Sequence, residues 1–575
     1  MKQAVIIVPI FILLLIILYL FTPVFPGKTT HESFIGQHVQ VVVTQYDLEQ
    51  RVEEFAHGPL GKVFHELDYE LIGRELELPD EQIEQVLQIK EEIQKAFKDP
   101  LLNILFGSEA SIAFFPFIPE SSEPLEQQAL ENILVISRPK HSARLMDFAG
   151  WFNTSEDRLT ETRYGSHTIK RFELETGKRI SAVRVKELLV FGFNEQILRQ
   201  SLDVYDGTEK NLLDDPEYRE KIQTFSGASL KCYVNLKDLP EHVKNISESS
   251  YVVENGLHIE ELDYLEGYKS GYFGAWREND RIIDKALISF DKELLSKDSK
   301  VLLEHEPALP DSFKRVGEDT ILYYWTNNFE PSVILEWFKQ KQDDDGSRAT
   351  NEFVSQLSQI TGLPPETLVS LIDNDLTLAV KGISETQLVP LPVFLLSVKS
   401  SDLEQLRISL EKIIAHFDIP VRRTEIGGSE LISWGGIIGI GSVLPSLMFT
   451  DNQVILSSNR DQINEFLELK DLEKGLNQNN SFIKLEENLV KPSNSMTYLD
   501  FAETTQSIKE MVSWGGTMLA LKDREMARKS KVLIDQLINP LLDGLAMYSI
   551  IGSRKYVEDD TILFESTTLL DNGKQ

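Results

Sequence analysis

The histidines are the side chains that would most directly mark metal or acid–base chemistry, but their spacing matches no known site. The chain has ten of them. His65 is followed by Glu66, yet no second histidine stands at the spacing of the HExxH zinc motif, in which two histidines one helical turn apart bind the metal. The histidines therefore predict no metal site.

Two further segments resemble ligand-binding loops but lack residues that such loops need. Asp343–Gly346 has the acidic start of a calcium loop, yet no bidentate glutamate follows at the required position. The glycine-rich segment 427–441 satisfies neither the dinucleotide-binding nor the P-loop pattern, and it has no basic residue to neutralise a phosphate. No G-x-S-x-G serine elbow occurs. We therefore predict no catalytic residue, no cofactor and no metal ion.

One short motif occurs twice. Ser433–Gly436 and Ser513–Gly516 both have the sequence Ser-Trp-Gly-Gly. A tryptophan beside glycines could contact a ligand or a partner, because the ring is large and amphipathic and glycine lets another chain approach. Two turns held by buried tryptophans are the simpler interpretation. The possible ligand or partner patch consists of Trp434, Gly435, Trp514 and Gly515.

The acidic composition limits the classes of partner. The chain has 58 Lys and Arg against 91 Asp and Glu, a formal net charge of −33. Such a surface repels phosphate backbones, so we expect no nucleic acid partner. The single cysteine, Cys232, precludes a disulfide within the chain. Its place in a strand-like run favours a packed apolar thiol over a nucleophile.

The first apolar segment predicts a membrane anchor. Residues 4–25 carry no charge, and as a helix rising about 1.5 Å per residue they would span the roughly 30 Å hydrocarbon layer. A cleaved signal peptide is the alternative, but its apolar region would be shorter and a small-x-small cleavage site should follow. Lys2 favours a cytoplasmic N-terminus. We expect an uncleaved signal anchor at residues 1–27 in a single-pass membrane protein whose bulk is periplasmic or extracellular.

After this segment the chain repeats its own pattern. The apolar run Leu188–Phe191 leads through a turn into an amphipathic helix, and Gln453–Glu468 has the same order, with Gln462–Ile463 aligned on Gln196–Ile197. Further matches follow in order: Val39–Val43 with Ile321–Trp325, Ala110–Phe114 with Leu376–Val380, Asn132–Ser137 with Val393–Val398, and Tyr233–Leu236 with Tyr498–Phe501. The spacing far exceeds that of a solenoid, so it predicts domain duplication.

Strands outnumber helices in this pattern, and most local connections look like hairpins, which favours an α+β fold. We predict two tandem related domains, residues 28–300 and 301–575, behind one N-terminal transmembrane helix. Each would be a largely antiparallel sheet with helices packed on one face. The boundary falls near Lys297–Pro310, because this segment is polar and contains prolines.

Residues Gly362 to Val380 contain a recognisable order of elements. Pro365-Glu366 starts an apolar helix, and Asn374-Asp375 forms a turn before an alternating strand. This order resembles a family of uncharacterised bacterial proteins, a domain of unknown function with an N-terminal membrane segment and a large extracytoplasmic region. The resemblance implies architecture and location, and it implies no catalytic residue.

With no chemistry predicted, we expect a non-enzymatic membrane-anchored extracytoplasmic protein. It would act as a cell-envelope scaffold, assembly or protein-binding factor with envelope proteins as partners, because a duplication gives two similar surfaces. The first alternative is a binding or carrier protein for lipid or another apolar ligand, which requires an apolar pocket. The second is an unrecognised hydrolase, in which serine and acidic side chains converge on a histidine such as His141 or His167.

Overall fold

A computed structural model of the chain describes residues 29–571 except 99–108, 121–123, 140–158, 174–178, 250, 253–261, 279, 334, 336–344, 384–390, 435–443, 451 and 473. The chain divides into two compact units, Met1–Ser296 and Lys297–Gln575. We call them the first unit and the second unit. Among the described residues, each unit contains ten strands.

The strands of the first unit are β1 Val41–Tyr46, β2 Glu109–Phe114, β3 Ile133–Arg138, β4 Leu159–Tyr164, β5 His167–Glu173, β6 Arg179–Val185, β7 Leu188–Gly192, β8 Leu230–Asn235, β9 Tyr268–Glu278 and β10 Arg281–Phe290. Those of the second unit are β11 Leu322–Thr326, β12 Ile372–Ile383, β13 Pro392–Ser400, β14 Val421–Ile426, β15 Ser429–Trp434, β16 Ser446–Thr450, β17 Gln453–Ser457, β18 Ser495–Asp500, β19 Tyr548–Glu558 and β20 Thr561–Leu570.

The two units have the same order of paired strands. In the first unit, antiparallel pairing gives the order β4-β5-β6-β7-β3-β2-β1-β8-β9-β10. In the second, it gives β14-β15-β16-β17-β13-β12-β11-β18-β19-β20. Each strand of the second unit therefore has a counterpart ten places earlier.

The helices of the first unit are α1 Leu48–His57, α2 Pro59–Glu66, α3 Tyr69–Glu75, α4 Asp80–Lys98, α5 Leu125–Glu131, α6 Glu195–Tyr205, α7 Pro216–Gln223 and α8 Leu239–Ser247. Those of the second unit are α9 Lys297–Leu303, α10 Asp345–Thr361, α11 Pro365–Ser370, α12 Leu403–His416, α13 Arg460–Leu472, α14 Asn480–Leu489, α15 Phe501–Lys522, α16 Arg524–Leu533 and α17 Asn539–Leu545.

Part of the glycine-rich segment forms a hairpin turn. Gly427 and Gly428 connect β14 to β15, and both have positive φ angles, 57° and 80°. Two consecutive residues in this conformation form the tight turn that matches the twist of antiparallel strands, and glycine adopts it without a steric penalty. The first two glycines of this segment therefore serve the sheet.

Helices pack on both faces of the strands in the second unit. Successive residues of a strand point to opposite faces. Accordingly, Met448 and Ile455 belong to a core that includes side chains of α13 and α14. Their neighbours Leu447 and Val454 belong to another cluster, against which α12 packs.

The first unit has the same property. Val43 of β1 packs on one side with Leu48 at the start of α1. On β8, the ring of Tyr233 stands edge-on to Tyr218 of α7, with the ring centres 5.0 Å apart, while its neighbour Cys232 joins the Val43 cluster. The prediction of helices on one face is therefore wrong in both units.

The predicted transmembrane segment, residues 4–25, lies outside the described residues. In the part of the chain that the structure describes, no helix is both long and apolar enough to cross a bilayer. This finding corrects two predictions: the fold behind one transmembrane helix, and the location as a single-pass membrane protein with its bulk periplasmic or extracellular. The described content is an α+β arrangement of antiparallel strands and helices.

The repeated helix is aligned one residue away from its predicted match. The side chain of Asn194 accepts a hydrogen bond from the N–H of Gln196 at the start of α6, at 2.8 Å. Asn459 accepts one from the N–H of Asp461 at the start of α13, at 3.0 Å. Because both asparagines cap a helix start, the first helical residues, Glu195 and Arg460, occupy equivalent positions.

Candidate functional site

The two copies of the Ser-Trp-Gly-Gly motif have different structures. Trp434 ends β15, where its backbone N–H donates to the carbonyl oxygen of Pro445 at 3.0 Å and its side chain packs on the cluster that contains Ile432. Gly435 lies outside the described residues. Trp514 and Gly515 lie within α15, so the second copy is helical and the turn expected there is wrong.

The two glycines of the helical copy face different surroundings. A Cβ atom added to Gly516 would stand 2.6 Å from Cδ1 of Ile534, in the π-helical segment Ile534–Ile538. A Cβ added to Gly515 would meet no atom within 4 Å. Gly516 therefore permits close packing of α15 on its neighbour, whereas Gly515 faces open space.

An exposed apolar surface surrounds Gly515. Residues three, four and seven positions apart share one side of a helix. At this spacing Ile508, Met511, Met518 and Leu519 lie on the side of Gly515, and each side chain is 36–42% exposed. Leu521 near the end of α15 and Met526 near the start of α16 are also exposed, at 78% and 48%. We define the α15 face as Ile508, Met511, Gly515, Met518, Leu519, Leu521 and Met526.

The α15 face concentrates apolar exposure in one short stretch. In the described part of the chain, 19 large apolar side chains are exposed, and six of them fall between positions 508 and 526. Scattered exposed apolar residues are normal, but a contiguous group marks a binding surface or an aggregation liability. The repeated motif predicted Trp514 and Gly515 as part of a patch, but not the surrounding side chains, although their helical spacing could have shown them.

A basic helix lies beside this surface. Helix α16 packs against α15, and its sequence REMARKSKVL carries four basic residues and one acidic residue. Arg528 and Lys531 are exposed. Because the chain as a whole has a net charge of −33, this is a local reversal of charge.

The first unit contains serine, histidine and glutamate side chains in a row. His31 Nδ1 is 2.6 Å from Ser111 Oγ, and His31 Nε2 is 3.7 Å from Glu109 Oε1. His31 lies in a 3₁₀ turn before β1, and the other two side chains belong to β2. The order resembles that of a nucleophile, a base and an orienting acid.

Burial prevents this row from acting on a substrate. His31 is 1% exposed and Ser111 is fully buried. Burial, followed by the nearby Arg138 guanidinium, lowers the pKa of His31 to about 3. An imidazole with that pKa is a weak base at neutral pH, and solvent does not reach the serine. The row therefore has a structural role.

Arg138 connects this row to the start of the described chain. Its Nε donates to Glu109 Oε2 at 2.9 Å, Nη1 donates to Glu187 Oε1 at 3.1 Å, and Nη2 donates to the Thr29 carbonyl at 2.6 Å. Glu187 in turn accepts the Thr29 N–H at 3.1 Å. We call these side chains, with His31 and Ser111, the Arg138 network.

The equivalent strand positions in the second unit line an open cavity. Asp375 and Lys399 stand where the first unit has Glu109 and Arg138, and Lys399 Nζ donates to Asp375 Oδ2 at 2.7 Å. Ser312 bonds to Thr377 at 2.8 Å, as His31 does to Ser111. The cavity has a volume of about 430 Å³ and is lined by His305, Glu306, Ala308, Leu309, Pro310, Asp311, Trp325, Asn327, Asn374, Asp375 and Lys399. Its polar lining suits a small polar molecule.

The histidines predicted for a hydrolase offer little support for one. His141 lies outside the described residues. His167 Nε2 is 3.0 Å from Asp206 Oδ1, and its ring lies edge-on to Tyr205. Burial raises the pKa of the Cys232 thiol to about 11, so this group stays protonated at neutral pH. Within the described ranges, no group of three or more potential metal ligands occurs.

Comparison with known proteins finds a family match. Residues 106–526 match the family described as "Protein of unknown function (DUF3352)", which confirms the predicted resemblance to a domain of unknown function. No curated protein matches the chain.

Solved structures titled "Structure of crystal form I of TP0453" and "Structure of crystal form III of TP0453" also match. They are 7% and 11% identical, covering 46% and 50% of this chain and 80% and 91% of theirs, with a TM-score of 0.22 in both cases. At that TM-score the likeness carries no structural or functional argument.

Proposed function

Because the chain belongs to the DUF3352 family, whose description assigns no function, we propose that it is a non-catalytic binding protein. It holds an amphipathic helix of a partner protein against the α15 face. This makes it a scaffold or assembly factor, with the second unit supplying the contact.

The exposure of the α15 face is the observation that carries this proposal. Covering apolar surface contributes roughly 25 cal/mol per Å² removed from water. Methionine supplies three of the six exposed side chains, and its flexible thioether adapts to different partner surfaces. Gly515 leaves a gap among them into which a partner side chain fits.

The charge beside the face specifies the partner further. Arg528 and Lys531 of α16 are exposed next to it. An amphipathic helix lays its apolar side into an apolar surface through residues three, four and seven apart. Acidic residues flanking that apolar side would complement the basic side chains of α16. The expected partner helix is therefore apolar on one side and acidic at its border.

Two features support a non-catalytic role. The Ser111–His31–Glu109 row is buried in the fold, and burial raises the pKa of the Cys232 thiol. A carrier of apolar ligands receives no comparable support, because the 430 Å³ cavity is lined by charged and amide side chains such as Asp375, Lys399 and Asn374.

Site-specific photocrosslinking of the full chain tests the proposal. A photoreactive residue is placed at Met518 of the α15 face and, as a control, at Ile483 of α14, which is 47% exposed in the same unit. We expect one protein to be crosslinked from Met518 in cells that produce the chain, and not from Ile483.

The partner identified in this way is then purified and titrated against variants of the full chain. We expect Met518→Asp to weaken binding by at least about tenfold, because an ionised carboxylate would have to be buried at the contact. Ile483→Asp should leave the affinity unchanged within about twofold. Equal crosslinking from both positions, unchanged affinity for Met518→Asp, or crosslinks only between copies of this chain would contradict the proposal.

A further inference from the structure

A second cavity in the second unit lies where β14 and β15 meet the start of α13. It has a volume of about 290 Å³ and is lined by Pro420, Val421, Arg422, Thr424, Ser433, Leu444 and Arg460. Two of its lining side chains are guanidinium groups. No acidic side chain is among the lining residues.

The same place in the first unit is occupied by an ion pair. Arg171 of β5 donates to Glu195, the first residue of α6. Arg199 also donates to Glu195 Oε1, from Nε at 2.9 Å and Nη2 at 2.6 Å. Hydrogen bonding to Arg171 lowers the pKa of this carboxyl group. A carboxylate of the chain itself therefore sits at this helix start.

Strand register makes Ser433 the counterpart of Arg171. Arg171 pairs with Ser181, which pairs with Gly192, two residues before the cap of α6. In the same way Ser433 pairs with Ser446, which pairs with Ser457, two residues before the cap of α13. A serine thus replaces the longer arginine, and space remains at this position.

The charge at the helix start is also reversed. Arg460 takes the place of Glu195, and Arg422 pairs with Ser433 on the adjacent strand. In the part of the chain that the structure describes, neither Arg422 nor Arg460 has a carboxylate partner. Their neighbour Arg423, in contrast, bonds to both Glu411 and Glu430.

Stability alone does not account for this pair of arginines. A cation in the first turn of a helix faces the positive end of the helix dipole, which is unfavourable, whereas an anion there is favourable. An external anion would pair with both guanidinium groups and with the helix start. Thr424 adds a hydroxyl group that has no hydrogen-bond partner among the described residues.

We propose that this cavity binds a small oxyanion, the phosphate or carboxylate group of a ligand, between Arg422 and Arg460. The guanidinium fork matches the oxygens of either group, so charged hydrogen bonds hold it in place. The bound group supplies the negative charge that Glu195 supplies in the first unit. This site is separate from the α15 face and does not depend on the proposed partner.

Calorimetric titration of the full chain with inorganic phosphate, and separately with acetate, tests the site. Binding of at least one anion is expected at low ionic strength. Arg422→Gln and Arg460→Gln should each weaken it by about tenfold or more, because each removes a charged hydrogen-bond donor. Phosphate binding without acetate binding would assign the site to phosphate groups, and the reverse to carboxylates.

Two further variants make the result specific. Arg423→Gln removes a guanidinium group that is already paired with two carboxylates. The affinity of this variant for the anion should therefore stay within about twofold of that of the unaltered protein. The double variant Ser433→Arg, Arg460→Glu copies the first unit and should abolish binding while the hydrogen-exchange pattern of β14–β17 is kept. No binding of either anion, or equal loss in Arg423→Gln and Arg460→Gln, would overturn the proposal.

Discussion

Glu109 and His31 are buried, and the Arg138 side chain is 12% exposed, at the end of β2 and β3, whereas Lys399 and Asp375 line an open cavity at the equivalent ends of β12 and β13. The strand pairing is the same in both places. In the first unit, the imidazole of His31 and the guanidinium group of Arg138, which makes three hydrogen bonds, fill the space. In the second unit, the smaller side chain of Ser312 and the single amino group of Lys399 stand in their places. The order of paired strands therefore fixes which polar positions meet, and the size of the side chains decides whether a cavity remains between them.

The starts of α6 and α13 differ in a similar way, but in charge. Glu195 is held by arginines of its own chain, while Arg460 is left without a carboxylate among the described residues. In both comparisons the first unit pairs its charged side chains internally, and the second unit leaves a cavity. The proposed anion site and the proposed partner contact both lie in the second unit.

The largest expected effect concerns the two ion pairs. Arg138→Met should lower the free energy of unfolding of the first unit by about 3–5 kcal/mol, because the buried carboxylate of Glu109 loses its charged partner. Lys399→Met should cost at most about 1 kcal/mol, because its pair with Asp375 is partly exposed. Hydrogen exchange measured by mass spectrometry in increasing urea reports on β2–β3 and β12–β13 separately. Similar losses of unfolding free energy in the two units would contradict the proposed difference between the two ion pairs.

Acid should destabilise the first unit through His31. The unfolded chain binds a proton near the ordinary pKa of 6.5, whereas the folded protein resists protonation until about pH 3. Between these values the unfolded state holds more protons, so stability falls as pH falls, by about 1.4 kcal/mol per unit.

His31→Ser copies the side chain of Ser312 and should remove this dependence. Unfolding of the first unit is measured from pH 7 to pH 4 for both proteins, and the difference between the two curves isolates the histidine from the carboxylates. A difference that does not change with pH would show that His31 is not held neutral by the fold.

Matched substitutions at the starts of α6 and α13 should change helix stability in opposite directions. Glu195→Gln is expected to destabilise α6 by about 1 kcal/mol, because it removes a favourable charge at the helix N-terminus and weakens the bonds to Arg171 and Arg199. Arg460→Gln should stabilise α13 by about 0.3–0.5 kcal/mol, because it removes an unfavourable charge from the same position. Thermal unfolding with hydrogen exchange at each helix measures both. Destabilisation by both variants would mean that Arg460 has a favourable partner in the folded chain.

A further pair of substitutions distinguishes the two glycines of α15. Gly515→Ala should raise helix stability by about 0.5–1 kcal/mol, because alanine loses less backbone entropy and meets no neighbour. Gly516→Ala should gain less, because its Cβ would press on Ile534. Hydrogen exchange of α15 amides compares them, and an equal gain would contradict the assignment of inner and outer sides.

The strands were the most predictable part of this chain. The matched segments Ala110–Phe114 and Leu376–Val380 lie within β2 and β12, because alternation of apolar side chains is a local property. The face on which helices pack was predicted incorrectly. It depends on which strand positions carry apolar residues on each side, and Leu447 and Met448 are both apolar, so the pattern alone does not exclude the second face.

The candidate sites were far less predictable. Ser433 and Trp434 end a strand whereas Ser513 and Trp514 lie inside a helix, because the residues around Trp514 favour a helix and those before Trp434 alternate after a glycine turn. His31 and Ser111 are 80 residues apart, and only the register of β1 with β2 brings them together. The Arg422–Arg460 cavity likewise depends on side chains from two elements that are distant in the chain.

The order of strands has a consequence for how the chain emerges from the ribosome. β1 lies between β2 and β8, and its pairing partner Val234 follows Val41 by almost 200 residues. At the usual 5–20 residues per second, one edge of β1 would wait roughly 10 to 40 s for its neighbour to be synthesised. During that interval the backbone groups along this edge are open to pairing with other chains. Production of this protein should therefore depend on chaperones that shield the nascent first unit.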